Sequence, residues 1–318
     1  MSHNSIVIVG AGQAGYHVAA SLRQEGFEGA VTLIGDEPGV PYQRPPLSKA
    51  YLLGKVGVAA LRFRPPEYFD EHRITRIQGS ATAIDRERRE LVLASGERLA
   101  YEHLVLATGA RNRVPAVAGI ELGGVFGLRN LADADGLSQR LGSAKRAVVI
   151  GAGFIGLEFA AVAAARGIAV DVLELGTRPM ARALSAVTSQ VFDHAHARWG
   201  VRIHYGQSLA AIHGDGGQVR SVELASGEVL PADLVVYGIG VLPNAELAAQ
   251  AQLTVNNGIV VDAHLLTSDP AISAIGDVVS FPSPWSPQAI RLESVQNAVD
   301  QAKAVAARLM GKPAGYAA

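Results

Sequence analysis

Two stretches of this 318-residue chain, 141 residues apart, repeat one pattern, and that repeat limits the available folds more than any other feature. In the first, the apolar, β-branched residues 6–9 read as a buried parallel strand. Gly10, Gly12 and Gly15 follow at once as G-x-G-x-x-G. A helix-like stretch at 16–24 and a second apolar strand at 31–34 come next, ending in Gly35 and Asp36. Gly10 permits the tight turn, Gly12 lets backbone approach a pyrophosphate, and Gly15 lets the helix pack close to the strand. The helix N-terminus then offers N–H groups and partial positive charge to phosphates. Asp36, 26 residues past Gly10, stands where an acid bonds a ribose hydroxyl.

The second copy has a strand at 147–150, the loop Gly151-Ala152-Gly153-Phe154-Ile155-Gly156, and an alanine-rich helix at 157–166 that Gly167 can end. A strand at 169–173 then closes on Glu174, 23 residues past Gly151. A lone G-x-G-x-x-G says little. Strand, glycines, helix, strand and acid in that order, twice, predict an α/β chain with two Rossmann-like dinucleotide-binding domains. Two such sites imply two dinucleotides, and the useful pair is one that delivers hydride and one that receives it, as NAD(P)H and FAD do. Glu174 favours NADH, because a carboxylate repels a ribose 2′-phosphate. Arg178 and Arg182, close behind, pull the other way.

Composition narrows the chemistry. A hydrophobic fraction of 49% and a charged fraction of 18% suit a well-packed soluble protein, and a net charge of −1 advertises neither nucleic acid nor an anionic membrane. There is no cysteine, which excludes disulfides, thiolate metal sites, protein-ligated iron–sulfur clusters and cysteine nucleophiles. With a strand starting by Ser5 and no apolar run of spanning length, a cytoplasmic protein is expected. His194 and His196 diverge on a helix, so no metal site is expected, and neither G-x-S-x-G nor H-E-x-x-H occurs.

Between and after the repeats the chain is punctuated. Residues 41–49 form a proline-stiffened loop in which Ser48 can cap a short helix carrying Lys49. Arg44 and Lys49 there are equally readable as phosphate-side cations or as solvated charges. Residues 74–99 read as a small antiparallel meander, and 201–205 with 219–224 as a second one. Residues 104–107 form a strand ending in Thr108-Gly109, and a domain crossing is placed near 112–115. A strand at 233–237 leads into Gly238-Ile239-Gly240, which suits a close backbone contact or a crossing. A strand at 272–275 ends in Gly276-Asp277, where the acid is either a ligand to a hydroxyl or a turn residue. Residues 281–287 form a proline-rich loop with Trp285 at its tip. Residues 293–310 form a helix whose N-terminus, near Val295, offers N–H groups to an electron-rich group.

Several segments together resemble the FAD-dependent, NADH-using ferredoxin reductases of bacterial oxygenase systems, of the putidaredoxin-reductase and rubredoxin-reductase type. They are Val-Gly-Ala-Gly-Gln-Ala-Gly at 9–15, Pro-Tyr-Gln-Arg-Pro-Pro-Leu-Ser-Lys-Ala-Tyr-Leu at 41–52, Leu-Ala-Thr-Gly-Ala-Arg at 106–111 and Val-Ile-Gly-Ala-Gly-Phe-Ile-Gly-Leu-Glu at 149–158. Leu-Pro-Asn at 242–244, Thr-Ser-Asp-Pro at 267–270, Ala-Ile-Gly-Asp at 274–277 and Glu-Ser-Val-Gln-Asn-Ala at 293–298 continue the match. The resemblance implies a glutathione-reductase-like two-domain flavoprotein. Its FAD-binding domain is split over 1–110 and 242–318, with an NAD-binding domain at 111–241. It also implies FAD contacts at Gly12, Ala14, Asp36, Arg44, Lys49, Ala81, Thr108, Arg129, Asp277 and Val295, beside the glycines Gly10, Gly15, Gly109 and Gly276. NAD contacts are implied at Gly151, Gly153, Ile155, Gly156, Glu158, Glu174 and Gly240. Lys49 and Glu158 are the expected catalytic pair, an ion pair beside the flavin N5 where nicotinamide arrives.

Related disulfide reductases carry a Cys pair where this chain has residues 43–48. Without cysteine, electrons cannot pass through a protein disulfide and must leave the flavin directly. The implied acceptor is a small iron–sulfur ferredoxin, of 2Fe-2S type, serving a cytochrome P450 or dioxygenase, with Arg291 and Lys303 as candidates for steering it. The family continues into a third domain with a Trp-rich opening, which this sequence does not contain. Two other activities fit the residues: reduction of a small acceptor such as a quinone or monodehydroascorbate, or a flavin-binding interaction role like that of apoptosis-inducing factor.

Overall fold

The computed structural model describes residues 4–312 and 315–317. The chain divides into two compact units, one of residues 1–43, 62–111 and 243–318, the other of residues 44–61 and 112–242.

The core of the first unit is a five-stranded parallel sheet in the order Ile272–Ala274, His103–Leu106, Ser5–Val9, Ala30–Gly35, Ile74–Gln78. Ser5–Val9 lies at its centre, with Val9 opposite Ile34 on one side and Leu106 on the other. Its apolar run is buried, Ile6 and Ile8 at 0% exposure, in one core that also takes in Ile84, Leu91 and Leu93. The helix Gln13–Gln24 packs against the helix Val295–Leu309. Ser294 caps the latter, its Oγ accepting the Asn297 N–H at 3.1 Å.

Residues 74–78 correct the expected meander. They join the parallel sheet, Val31 opposite Ile74 and Ile34 opposite Ile77. An edge strand alternates exposed and buried residues much as a hairpin strand does, so periodicity does not reveal its partner. The antiparallel meander is Ala81–Asp85, Glu90–Leu93 and Arg98–Ala100. The proline-rich stretch after Val278 is also more regular than expected: Val279–Ser283 and Ser286–Ile290 pair as a hairpin with Trp285 84% exposed at its turn.

The second unit repeats the plan, with the order Val201–Tyr205, Ala169–Glu174, Arg146–Ile150, Leu234–Tyr237, Val125–Gly127. Here too a strand assigned to the meander, Val201–Tyr205, is an edge of the parallel sheet, paired with Ala169–Glu174. The meander is Leu209–Asp215, Gln218–Leu224 and Val229–Pro231. Helices Phe154–Ala165 and Ala186–Arg198 lie in this unit.

Residues 44–61, expected within the first domain, cluster with the second unit, and their bonds explain why. Arg44 Nη1 donates to the Arg129 carbonyl at 2.9 Å, Tyr51 Oη donates to Asp135 at 2.5 Å, and Arg166 donates to the Leu52 carbonyl.

Candidate cofactor-binding and active site

The first glycine loop is shaped by exclusion. Gly10 holds φ +110°, and a Cβ there would stand 2.1 Å from the Ala107 carbonyl oxygen. A Cβ at Gly15 would stand 1.8 Å from the Gly10 carbonyl oxygen. A Cβ at Gly12 would meet no atom within 4 Å. Two glycines are therefore needed by the fold itself, while the third guards open space over the start of a helix whose N-cap, Gly12, supplies no side-chain bond. Open backbone at an uncapped helix start fits a pyrophosphate. Ala14 lies in the first turn of that helix, and Asp36 is exposed just past the strand Ala30–Gly35.

The Thr108-Gly109 turn is braced by Asn244, the last residue of the Leu-Pro-Asn segment, to which the motif reading gave no role. Thr108 Oγ1 donates to the Asn244 carbonyl at 2.7 Å, and Asn244 Nδ2 returns a bond to the Thr108 carbonyl at 2.9 Å. Asn244 N–H also donates to the Gly109 carbonyl at 2.9 Å. The Thr108 hydroxyl thus serves the turn. Gly276-Asp277 opens the short helical turn Gly276–Val278, and Ala81 begins its meander strand. Val295 is 46% exposed at the start of its helix.

Arg291 does not fit a steering role. Its side chain is only 11% exposed, pairs with Glu293 at 2.7 Å and donates to the Asp277 carbonyl at 3.1 Å. Its charge is spent on holding the turn. Lys303 is exposed.

The second loop is built the same way. Gly151 holds φ +99°, a Cβ at Gly156 would stand 2.1 Å from the Gly151 carbonyl oxygen, and Gly153 is the N-cap without a side-chain bond. Glu174 spans the loop, accepting Ala152 N–H at 2.8 Å and Gly176 N–H at 2.7 Å. Its carboxylate is fixed at the end of its strand, where a ribose diol would lie. Arg178, the counter-argument from sequence, is already engaged. Its Nη1 donates to the Leu184 carbonyl at 2.7 Å and Ser189 Oγ at 2.6 Å, and its Nη2 to the Ala181 carbonyl at 2.9 Å. Gly240 holds φ +99°, and a Cβ there would lie 3.5 Å from Arg182 Nη2.

Lys49 and Glu158 meet within the second unit. Lys49 Nζ lies 2.7 Å from Glu158 Oε2 and donates to the Pro45 carbonyl at 3.0 Å. Ser48 was expected to cap a helix. Instead the helical turn Leu47–Tyr51 is preceded by Pro46, and Ser48 Oγ donates to the same Oε2. Its side chain faces Glu158 because Ser48 already lies inside the turn. Lys49 is half-exposed, so the pair adds no more than about 1 kcal/mol to stability. Its value is positional: both donors converge on one carboxylate oxygen. Beside Glu158 a cavity of about 440 Å³ is lined by Phe154, Leu157, Met180, Phe192, His196 and Trp199. The buried His196 ring sits between two carbonyls, Phe192 O at 2.8 Å and Leu157 O at 3.1 Å.

Among the described residues no helix is long and apolar enough to cross a membrane. The pyridine nucleotide-disulphide oxidoreductase family model matches residues 4–302. Rhodocoxin reductase of Rhodococcus erythropolis is 51% identical over 313 residues, covering 98% of this chain and 73% of that protein. Putidaredoxin reductase of Pseudomonas putida is 42% identical over 317 residues, covering 98% and 75%. Among solved structures, a ferredoxin reductase from Rhodopseudomonas palustris superposes with a TM-score of 0.96 at 51% identity, over 98% of this chain and 78% of that one. The reductase of the covalent putidaredoxin reductase–putidaredoxin complex gives 0.95 at 40% identity, over 98% and 76%.

Proposed function

This chain belongs to the pyridine nucleotide-disulphide oxidoreductase family, and we propose that within it the protein is an FAD-dependent NADH:ferredoxin reductase. Electrons drawn from NADH pass to a small iron–sulfur ferredoxin, of 2Fe-2S type, that serves a cytochrome P450 or dioxygenase. The observation that carries this reading is a pair of complete glycine cradles in a chain without a single cysteine. Relatives named for rhodocoxin, putidaredoxin and rubredoxin support the class of acceptor.

We assign residues 1–110 and 242–318 to FAD and 111–241 to NAD. Bound FAD supplies the capacity to accept a hydride and to release electrons one at a time. The chain's own residues do the rest. Gly10, Gly12, Ala14 and Gly15 cradle the FAD pyrophosphate, and Asp36 takes a ribose hydroxyl. Arg44, Ala81, Thr108, Gly109, Arg129, Gly276, Asp277 and Val295 complete the FAD contacts. Gly151, Gly153, Ile155 and Gly156 cradle NADH, with Gly240 nearby, and Glu174 selects NADH by repelling a 2′-phosphate. Lys49 holds positive charge at the flavin edge, and Glu158 holds Lys49 through Oε2 while Oε1 helps seat the nicotinamide. Lys303 remains the candidate for steering the acceptor. The protein acts in the cytoplasm.

Anaerobic mixing of the FAD-loaded protein with NADH bleaches the flavin's visible absorption, and oxidised ferredoxin restores it. FAD-loaded protein that NADH leaves unbleached refutes the first half of the proposal. Bleached protein that reduces quinones but no ferredoxin refutes the second.

A further inference from the structure

Lys49 and Glu158 form the expected ion pair, but a neutral neighbour reaches the same carboxylate. Ser48 is 2% exposed inside the turn Leu47–Tyr51, and its Oγ donates to Glu158 Oε2. The turn is built to allow this. Tyr51 N–H bonds the Pro46 carbonyl at 3.0 Å, five residues back, so the turn is wider than an α-helix. Successive side chains diverge less around a wide turn, and Ser48 and Lys49 reach one oxygen together. The Ser48 hydroxyl has one proton to give. The Pro45 carbonyl, 3.5 Å away, already receives Lys49 Nζ at 3.0 Å, whereas Oε2 is nearer and charged.

The two donors are not equivalent. Lys49 is long and 49% exposed, and its ion pair is weakened by water and salt. Ser48 is short and sealed in its turn, so its hydroxyl loses little freedom in holding the bond. The hydroxyl therefore decides which carboxylate oxygen is tied down. The other oxygen, Oε1, accepts no hydrogen bond from any described residue. Glu158 is 26% exposed and lines the neighbouring cavity. A carboxylate with one oxygen held by two donors and the other bare is an acceptor with a fixed direction.

We propose that Ser48 is a positioning residue for the nicotinamide. Its hydroxyl holds Glu158 Oε2, so that Oε1 is presented to the carboxamide of the coenzyme. The inference rests on the reading of Glu158 as the residue that seats that ring. Without Ser48 the carboxylate turns about its own bond and the flexible lysine follows it. The seat is then present but no longer directed.

The test compares wild type with Ser48→Ala, Glu158→Ala and the double variant, each loaded with FAD. Alanine fits where serine sits, and Oε2 keeps its Lys49 bond, so Ser48→Ala leaves no group unpaired. Calorimetry measures the binding of NAD⁺ and of ADP-ribose, which has both phosphates and both riboses but no nicotinamide. Stopped flow measures flavin reduction by NADH. Ser48→Ala is expected to bind NAD⁺ about threefold or more weakly and to be reduced about tenfold more slowly at saturating NADH. Its affinity for ADP-ribose stays that of wild type. In Glu158→Ala, where no carboxylate remains to direct, adding Ser48→Ala changes either quantity by less than about twofold. A Ser48→Ala protein that binds NAD⁺ and is reduced as wild type is overturns the inference. So does an equal loss of NAD⁺ and ADP-ribose binding, which marks a structural role, or a Ser48→Ala effect that persists in full without Glu158. A Glu158→Ala protein indistinguishable from wild type overturns the reading of Glu158 instead.

Discussion

Alanine at Gly12 and alanine at Gly15 change one hydrogen to one methyl three positions apart, and the structure separates their effects cleanly. At Gly12 the backbone is extended, φ −83° and ψ −159°, which any residue adopts, and a Cβ there meets nothing within 4 Å. The fold loses only a modest N-cap preference, a few tenths of a kcal/mol to about 1 kcal/mol, against a gain of about 0.4–1 kcal/mol from a less flexible unfolded chain. The cofactor-free midpoint then moves by no more than about 2–4 °C. The methyl instead fills the space into which a pyrophosphate must come. Overlap of about 1–3 kcal/mol converts to FAD binding roughly 5- to 150-fold weaker. At Gly15 the new Cβ would lie 1.8 Å from the Gly10 carbonyl oxygen and 3.3 Å from Ile8 Cγ2. Backbone must move, at a cost of about 1–3 kcal/mol or more before any ligand arrives. Differential scanning fluorimetry of the cofactor-free proteins, with flavin titrations alongside, gives both numbers for each variant. If Gly12→Ala binds FAD as wild type does, or Gly15→Ala melts where wild type melts, the division between a ligand-serving and a fold-serving glycine is wrong.

Glu158→Gln should slow flavin reduction by NADH roughly tenfold or more in stopped flow, with stability changed by less than about 1 kcal/mol because the ion pair is partly solvated. Arg178→Met should cost about 1–3 kcal/mol of stability in urea, because three acceptors lose their donor, and leave the NADH-to-NADPH preference untouched. A selective loss of NADPH binding would show instead that Arg178 reads the phosphate. Burial alone would raise the pKa of Asp171, but bonds from Arg202 at 2.7 and 2.8 Å and from His204 at 2.7 Å outweigh it and hold the carboxyl below its usual value. Its folded value is depressed, so its stabilisation is complete above the unfolded value, about pH 4, and is lost as pH falls through the folded one. The melting curves of wild type and Asp171→Asn should differ at neutral pH and converge in acid.

The glycine loops were legible in sequence because their chemistry needs neighbours in sequence: Gly10, Gly12 and Gly15 act within six residues. The acids at strand ends were legible for a similar reason, since β-α-β units have a narrow range of lengths. What stayed hidden was whatever depends on a distant partner. Ile74–Gln78 and Val201–Tyr205 read as hairpin strands because nothing local says that they pair in parallel with Ala30–Gly35 and Ala169–Glu174. Asn244 braces Thr108 across 136 residues, and Gln301 reaches Gly276 across 25. Arg291 read as a surface cation because one-dimensional spacing does not reveal that a guanidinium is 11% exposed beside its own carboxylate. Ser48 sits in a helical turn whose closure is set by the prolines before it, and its target lies 110 residues on.

The two parallel sheets share a strand order but recruit their outermost strand from opposite ends. In the second unit it is Val125–Gly127, made before the strand it flanks, Leu234–Tyr237. In the first unit it is Ile272–Ala274, made after everything else in that sheet. A ribosome therefore delivers the whole inserted sheet before it releases the last piece of the enclosing one. The strand before Gly10 has both of its partners by Leu106, so the outer sheet waits only for its last edge, and a released chain truncated after residue 245 should already protect the inner sheet from protease while leaving the outer one open to attack.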